Sequence, residues 1–483
     1  MTVLAIDQGT SGTKALVVAP DGSVLGEGRA AVRPRTVGPG LVEQDPQELL
    51  DSIVAAGREA LAAAGVPVVA VGLGNQGETV VALDPRTRAP LGPALSWQDR
   101  RAGVVTAELA DRAARLTAIS GLPLDPYFAA PKMTWLARRH PGALVTTVDA
   151  WLVHALTGAY VTDAATASRT MLLDLDAAAW SSEACETFGL DPAALPEVVD
   201  QAGHFGTTDV FGPELPLTGL CVDQQAALFG ERCLEAGEAK CTYGTGAFVL
   251  ANAGTRPVRS SADLAACLAW RIDGAPTYCF DGQVYTAAAA VDWLQELGLT
   301  GSAAEVDGLC ADANPGAEAV FVPALAGLGA PFWRPDARGG WVGLSLSTTR
   351  CDLVRAVVDG IAAQVACLTQ AVADDLGTPL RALRVDGGLT RSSTLLQAQA
   401  DLLQTPVEVY PLPDATALGI AAFARLGAGL AAGPHEAVPP WTPAAAHEPR
   451  MAASDAAARL DRWRAAALAL AALPPLPHSP EAT

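Results

Sequence analysis

Residues 221 to 248, CVDQQAALFGERCLEAGEAKCTYGTGAF, hold the densest chemistry in the chain. Asp223 ends the apolar run Leu220-Cys221-Val222 and precedes Gln224, Gln225 and Ala226-Ala227-Leu228-Phe229, a pattern of strand, polar corner and helix. A carboxylate at such a corner can point into a cleft, which makes Asp223 the candidate catalytic group. Further on, Tyr243-Gly244-Thr245-Gly246 lies between two β-prone runs. Its glycines let backbone N–H groups and one hydroxyl approach a phosphate chain. A similar composition opens the protein: Asp7-Gln8-Gly9-Thr10-Ser11-Gly12-Thr13-Lys14 joins two short strands, with an acid at its start and a cation at its end. It suits a phosphate and its magnesium, although an exposed hairpin tip has the same composition. It is not a Walker loop, because the GK[ST] ending is missing and a strand follows where a helix is required.

The elements around these loops alternate. VLAID, KALVVA and SVLGEGRA read as strands, with a Pro20-Asp21-Gly22 turn before the third. Asp45 and Pro46 open a helix running to about Ala64. Val68 to Leu73 is a buried strand that delivers Gly74-Asn75-Gln76-Gly77-Glu78-Thr79 at its C-terminal end, where α/β sheets keep their ligand sites. Amides beside a carboxylate offer donors and acceptors to hydroxyl groups. PALSWQDRR at 93–101, and the loop through Tyr127 before a helix from Ala130 to Arg139, are further polar clusters. Residues 147 to 180 read as core and loops, with no residue singled out. After the central stretch come strand and helix pairs, a long buried helix from Asp352 to about Asp374, and a strand ending in Asp386-Gly387-Gly388 before a helix from Ser392. Arg338 to Leu346 reads as a strand pair, 433–449 as a proline-rich linker, and Ser454 as the cap of the last helix.

Composition sets limits. A chain of 483 residues outgrows one core, and its length predicts about two to four domains. The net charge of −20 and the pI near 4.6 argue against nucleic acid or an anionic membrane as partner. Nine cysteines without C-x-x-C spacing fit buried thiols in a reducing compartment. The N-terminus has no apolar signal segment, and Ala465 to Leu473 is too short to span a bilayer, so a cytoplasmic protein without membrane insertion is expected.

Taken in order, DQGTSGTKAL, NQGETV, SWQDRR, GLPLDPYFAAPKMTWL, DQQAALFG, TYGTGAFVLANAG, FVPALAGLGAPFW, VDGG and TALG resemble the FGGY carbohydrate kinase family, its glycerol kinase branch most closely. The resemblance covers residues 1 to about 430. It implies an α/β chain with the two-domain actin-like ATPase (ribonuclease H-like) fold and an interdomain cleft. The N-terminal domain would span 1–231 and the C-terminal domain 232–473, with 474–483 a disordered tail. By matching positions, Asp223 resembles the general base, and Glu78, Tyr127 and Gln224 the polyol contacts, with Phe248 an apolar wall. Asp7 would hold Mg2+. Thr10, Ser11, Gly12 and Lys14 match the transferred-phosphate loop, with Lys14 where glycerol kinases carry arginine. Thr245 and Gly246 match the second phosphate loop, Ala288 and Asp292 the helix lining the nucleotide, and Gly388 and Ser392 the adenosine pocket. ATP and Mg2+ are the implied cofactors, a small polyol or sugar is the implied partner, and a homodimer is the oligomer it allows.

Two departures matter. Gly77 stands where glycerol kinases have the arginine of NQRET. Either the pocket is enlarged for a four- to five-carbon polyol or a ketose such as xylulose or ribulose, or Arg100, Arg101 or water fills the gap and glycerol remains the substrate. A nucleotide-binding sensor without kinase activity is the alternative of another class. The loop GTTDVFGPELPLTG also lacks the arginine of the fructose bisphosphate site, so no inhibition at that loop is expected.

Overall fold

Two mixed sheets, one in each half of the chain, position these loops. In the computed structural model, which describes residues 1–334 and 336–473, the first sheet has six strands. Their order is Thr207–Thr208, Leu215–Val222, Val68–Asn75, Thr2–Gln8, Gly12–Val18 and Val24–Ala31. Leu215–Val222, Val68–Asn75 and Thr2–Gln8 run parallel, whereas the last three strands form an antiparallel meander. The second sheet repeats this plan. Ala265–Ile272, Ala275–Val284, Ala247–Gly254 and Ala239–Tyr243 are antiparallel, and Leu383–Gly387 and Val407–Val409 continue in parallel. The two-domain α/β architecture is therefore the expected one.

Local signals explain most element ends. The Pro46–Ala64 helix starts from Asp45, whose side chain accepts from Gln47 N, and stops at Gly65 in the left-handed region. The Arg350–Leu376 helix opens with a capping box between Thr349 and Asp352. It is long and apolar enough to cross a membrane, but 78% of its apolar window is buried in the second half, which marks it as a core helix. Three expectations change. Residues 338–346 supply one strand, Gly340–Val342, paired with Val320–Val322. The 433–449 segment contains the Ala445–His447 strand, which closes the edge of the second sheet against Val407–Val409. The last helix, Ala453–Ala471, is entered from Ala452, and Ser454 lies inside its first turn without capping it. The tail at 474–483 lies outside the described residues.

Late in the chain, the Ala415–Gly427 helix returns to pack on the first sheet. Gly74 permits this close approach, because a Cβ there would stand 2.8 Å from Ile420 Cγ1. The helix thereby carries its entry residue, Asp414, to the first hairpin loop.

Candidate active site

The first sheet brings three loops together. Its register sets Asp7 beside Gly74 and Gly74 beside Cys221, while Asn75 pairs with both Gln8 and Val222. Beyond these aligned strand ends lie the Gly9–Gly12 hairpin, the Gln76–Thr79 turn and Asp223, the first residue of the Asp223–Gly230 helix. Glu78 adopts φ 56°, a left-handed conformation uncommon for its residue type.

A cavity of about 190 Å³ opens at this point. Gly77, Glu78, Tyr127, Asp223, Gln224 and Phe248 all line it, and Thr10 forms part of its wall. Gln224 N donates to Asp223 Oδ1 at 2.6 Å. Burial, with the charges of Asp7 and Glu78 adding to it, pushes the Asp223 carboxyl up to about 7. Such a group exchanges protons near neutrality, as a general base requires. Burial likewise raises Glu78, against the pull of Arg169 and Lys132. Buried Lys132 donates to the carbonyls of Pro126 and Phe128, each at 2.9 Å, and to that of Tyr127, so it fixes the loop that carries the Tyr127 ring. Trp97 Nε1 donates to Thr10 Oγ1 at 2.8 Å, and its ring meets Tyr127 edge-on at 5.9 Å.

Arg169 also lines the cavity, and no feature of the sequence singles it out. It follows the short Ala164–Ser168 helix and is 4% exposed. Its Nε donates to Glu78, and its Nη1 donates to Asp281 Oδ2 at 2.5 Å. Arg100 and Arg101, the arginines expected near Gly77, are engaged elsewhere. Arg100 pairs with Asp125 at 2.7 Å, and Arg101 with Asp99 and Glu43 at 2.8 and 2.9 Å. A lone arginine in a segment of core-like composition carries no signal in sequence; only its two carboxylates, one of them 112 residues away, reveal it.

Ion pairs and hydrogen bonds join the halves around the cavity. Besides Arg169 and Asp281, Gln283 Nε2 donates to the Tyr127 hydroxyl at 3.0 Å, and Lys240 Nζ donates to Gln224 Oε1 at 2.6 Å. Lys14 donates to Asp414, which is held at φ 67°. Asp7 faces this pair. Its pKa rises to about 6 through burial and the Asp414 charge, with Lys14 opposing. Two carboxylates sharing a site favour an added cation. Among the described residues no cluster of three or more metal-ligating side chains occurs. The Asp7 and Asp414 carboxylates are of the kind that suit Mg2+, which keeps water and substrate phosphate as ligands beside one or two carboxylates.

The second hairpin mirrors the first. Gly9 N donates to Gly12 O, and Gly244 N to Gly246 O, each at 2.9 Å. Thr245 is exposed, and its carbonyl accepts from Ala287 N and Ala289 N, while that of Gly244 accepts from Ala288 N. This seats the Ala288–Glu296 helix on the loop. Asp292 is exposed on that helix. Gly387, at φ 93°, lies so close to the loop that a Cβ would stand 2.3 Å from Tyr243 O. Gly388 is exposed beside it. Ser392 caps the Ser393–Leu403 helix and donates to Asp307 Oδ1 at 2.5 Å, so its hydroxyl is already engaged. Asp292, Gly388 and Ser392 stand apart from the 190 Å³ cavity.

Comparisons with known proteins place the chain in a family. Residues 2–230 match the N-terminal domain of the FGGY family of carbohydrate kinases, and residues 239–428 match its C-terminal domain. A glycerol kinase from Thermus brockianus is 42% identical, over 96% of this chain and 97% of its own. Among solved structures, Plasmodium falciparum glycerol kinase with ADP superimposes with a TM-score of 0.92 at 28% identity, covering 97% of this chain and 98% of its own. A xylulose kinase from Brucella ovis gives 0.90 at 26% identity, covering 98% of this chain and all of its own. The chain belongs to the FGGY family of carbohydrate kinases.

Proposed function

We propose that this kinase transfers the γ-phosphoryl group of ATP to a primary hydroxyl of glycerol, with Asp223 as general base. The observation that carries the reading is the raised Asp223 carboxyl on a small cavity that also presents Glu78, Tyr127 and Phe248. Glu78 and Gln224 orient hydroxyls, and Phe248 covers the carbon chain. Asp223 accepts the proton as the hydroxyl oxygen attacks phosphorus. Thr10, Ser11, Gly12 and Lys14 on one side, and Thr245 and Gly246 on the other, face the phosphates. Ala288, Asp292, Gly388 and Ser392 belong to the adenosine side. Mg2+ held near Asp7 supplies charge neutralisation on the phosphates. The division between the halves falls at 231/232, and their closure excludes water from the cavity.

A second reading, a four- to five-carbon polyol, is favoured by Gly77. A Cβ there would meet Val222 Cγ2 at 3.1 Å and nothing else within 4 Å, so a single methyl crowds the position. ADP release over glycerol, erythritol, threitol, xylitol, arabitol, ribitol, xylulose and ribulose separates the readings. Glycerol turning over fastest supports the first, and a longer polyol winning replaces it with the second. A flat response across the panel would overturn both and favour a sensor.

A further inference from the structure

Two arginines among the described residues are more than nine-tenths buried. Arg169 has two carboxylates, whereas Arg425, 7% exposed, has no ion pair among the described residues. Its Nε and Nη1 are buried without hydrogen-bond partners there. Burying a charged group unpaired is costly, so an arginine in this state has a place ready for an anion. Arg425 sits in the last turn of the Ala415–Gly427 helix. The partial negative charge of that helix end favours it only weakly and leaves its donors without partners.

Arg425 is among the residues lining a cavity of about 330 Å³ that shares no residue with the cavity of Asp223. Both halves build it. Pro20 and Gly22 come from the turn between Gly12–Val18 and Val24–Ala31, and Leu412, Pro439 and Trp441 from late in the chain. Trp441 is fixed by its Nε1 bond to Glu231 O at 3.3 Å and by edge contact with Tyr410 at 5.2 Å. The walls are mostly apolar. The one acid among the lining residues, Asp21, already accepts from Ser23 N at 3.0 Å and Ser23 Oγ at 2.6 Å. One guanidinium balances one charge, and apolar walls match an apolar body.

We propose that this cavity is a second ligand site, which takes a small organic monoanion by a carboxylate on Arg425 with its apolar body against Trp441 and the prolines. The probe is 4-fluorobenzoate, followed by fluorine NMR with the full chain saturated in ADP and glycerol, so that the kinase cleft is filled. The expected result is saturable line broadening that Arg425→Met abolishes and that benzoate reverses more effectively than inorganic phosphate. Equal broadening in the variant, or none in the native chain, overturns the site. Reversal by phosphate at lower concentration than benzoate overturns the carboxylate assignment. Thermal unfolding without probe guards against a merely structural role: Arg425→Met should melt at or above the native temperature. A fall of more than about 5 °C, well over 1 kcal/mol for a chain this size, would show that the guanidinium holds the fold and overturn the proposal.

Discussion

Arg169 Nη1 lies 2.5 Å from Asp281 Oδ2, and this ion pair ties the two halves of the kinase together at the wall of the 190 Å³ cavity. Because Arg169 Nε also bonds Glu78, a carboxylate on the cavity wall is held by a residue that is itself anchored to the opposite half. On the proposed function, substrate orientation and domain closure would share one guanidinium. Arg169→Ala leaves two buried carboxylates unpaired and should cost about 3–5 kcal/mol, read as a lower urea midpoint. It should also raise the polyol KM more than the ATP KM. Arg169→Lys keeps the charge but loses the fork that reaches both acids, so it should restore stability in part and KM little. Equal effects on both KM values would remove Arg169 from substrate positioning.

Asp223→Asn removes the proposed proton acceptor while preserving size. Turnover should fall by about two to four orders of magnitude, with ATP binding by calorimetry nearly unchanged. Near-native turnover would reassign the base.

The pH dependence follows from the same carboxyl. Asp223 must be ionised to accept a proton, so turnover should rise with pH through about 7, and a cation beside Asp7 should move that midpoint lower. Stability runs the other way. Asp7 and Asp223 have folded pKa values of about 6 and 7, both raised from 3.8, so between these limits the folded chain binds more protons than the unfolded one. The nucleotide-free chain should therefore lose stability from these groups as pH rises from about 4 to 7. Urea midpoints at several pH values test this. Asp223→Asn should flatten the slope, and an unchanged slope would contradict the raised carboxyl.

Much of this fold was legible in order along the chain. The Asp45-Pro46 start, the strands flanking Asp7–Lys14 and the glycine pair after Asp386 are local signals, and the structure places them within a residue or two. The cavity residues Glu78, Tyr127 and Asp223 were legible because motif order carried them. Arg169, Asp281 and Asp414 were not, since each acts through a partner distant in sequence and sits in a segment without pattern. The edge strand Ala445–His447 was hidden for a related reason. Prolines on both sides read as linker, yet edge strands tolerate neighbouring prolines, and Val407–Val409 supplies the pairing.

Gly77 is where substrate choice can be read directly. A Cβ there would meet only Val222 Cγ2, at 3.1 Å, so Gly77→Arg should fold if that methyl shifts by a few tenths of an ångström, which a thermal melt of the variant checks. Its guanidinium would enter a cavity of about 190 Å³ already bordered by that of Arg169. Two cations flanking Glu78 should lower the Glu78 pKa, and the added bulk should exclude longer chains. If the native cavity takes a four- or five-carbon polyol, Gly77→Arg should shift kcat/KM towards glycerol by about 10- to 100-fold, the scale of one or two new hydrogen bonds to hydroxyls in a smaller cavity. If glycerol is already preferred, the substitution should cut activity on longer polyols while changing glycerol KM by less than about threefold. Unchanged selectivity in both directions would place Gly77 outside the polyol's reach and leave Arg169 and Glu78 as the groups that choose the substrate.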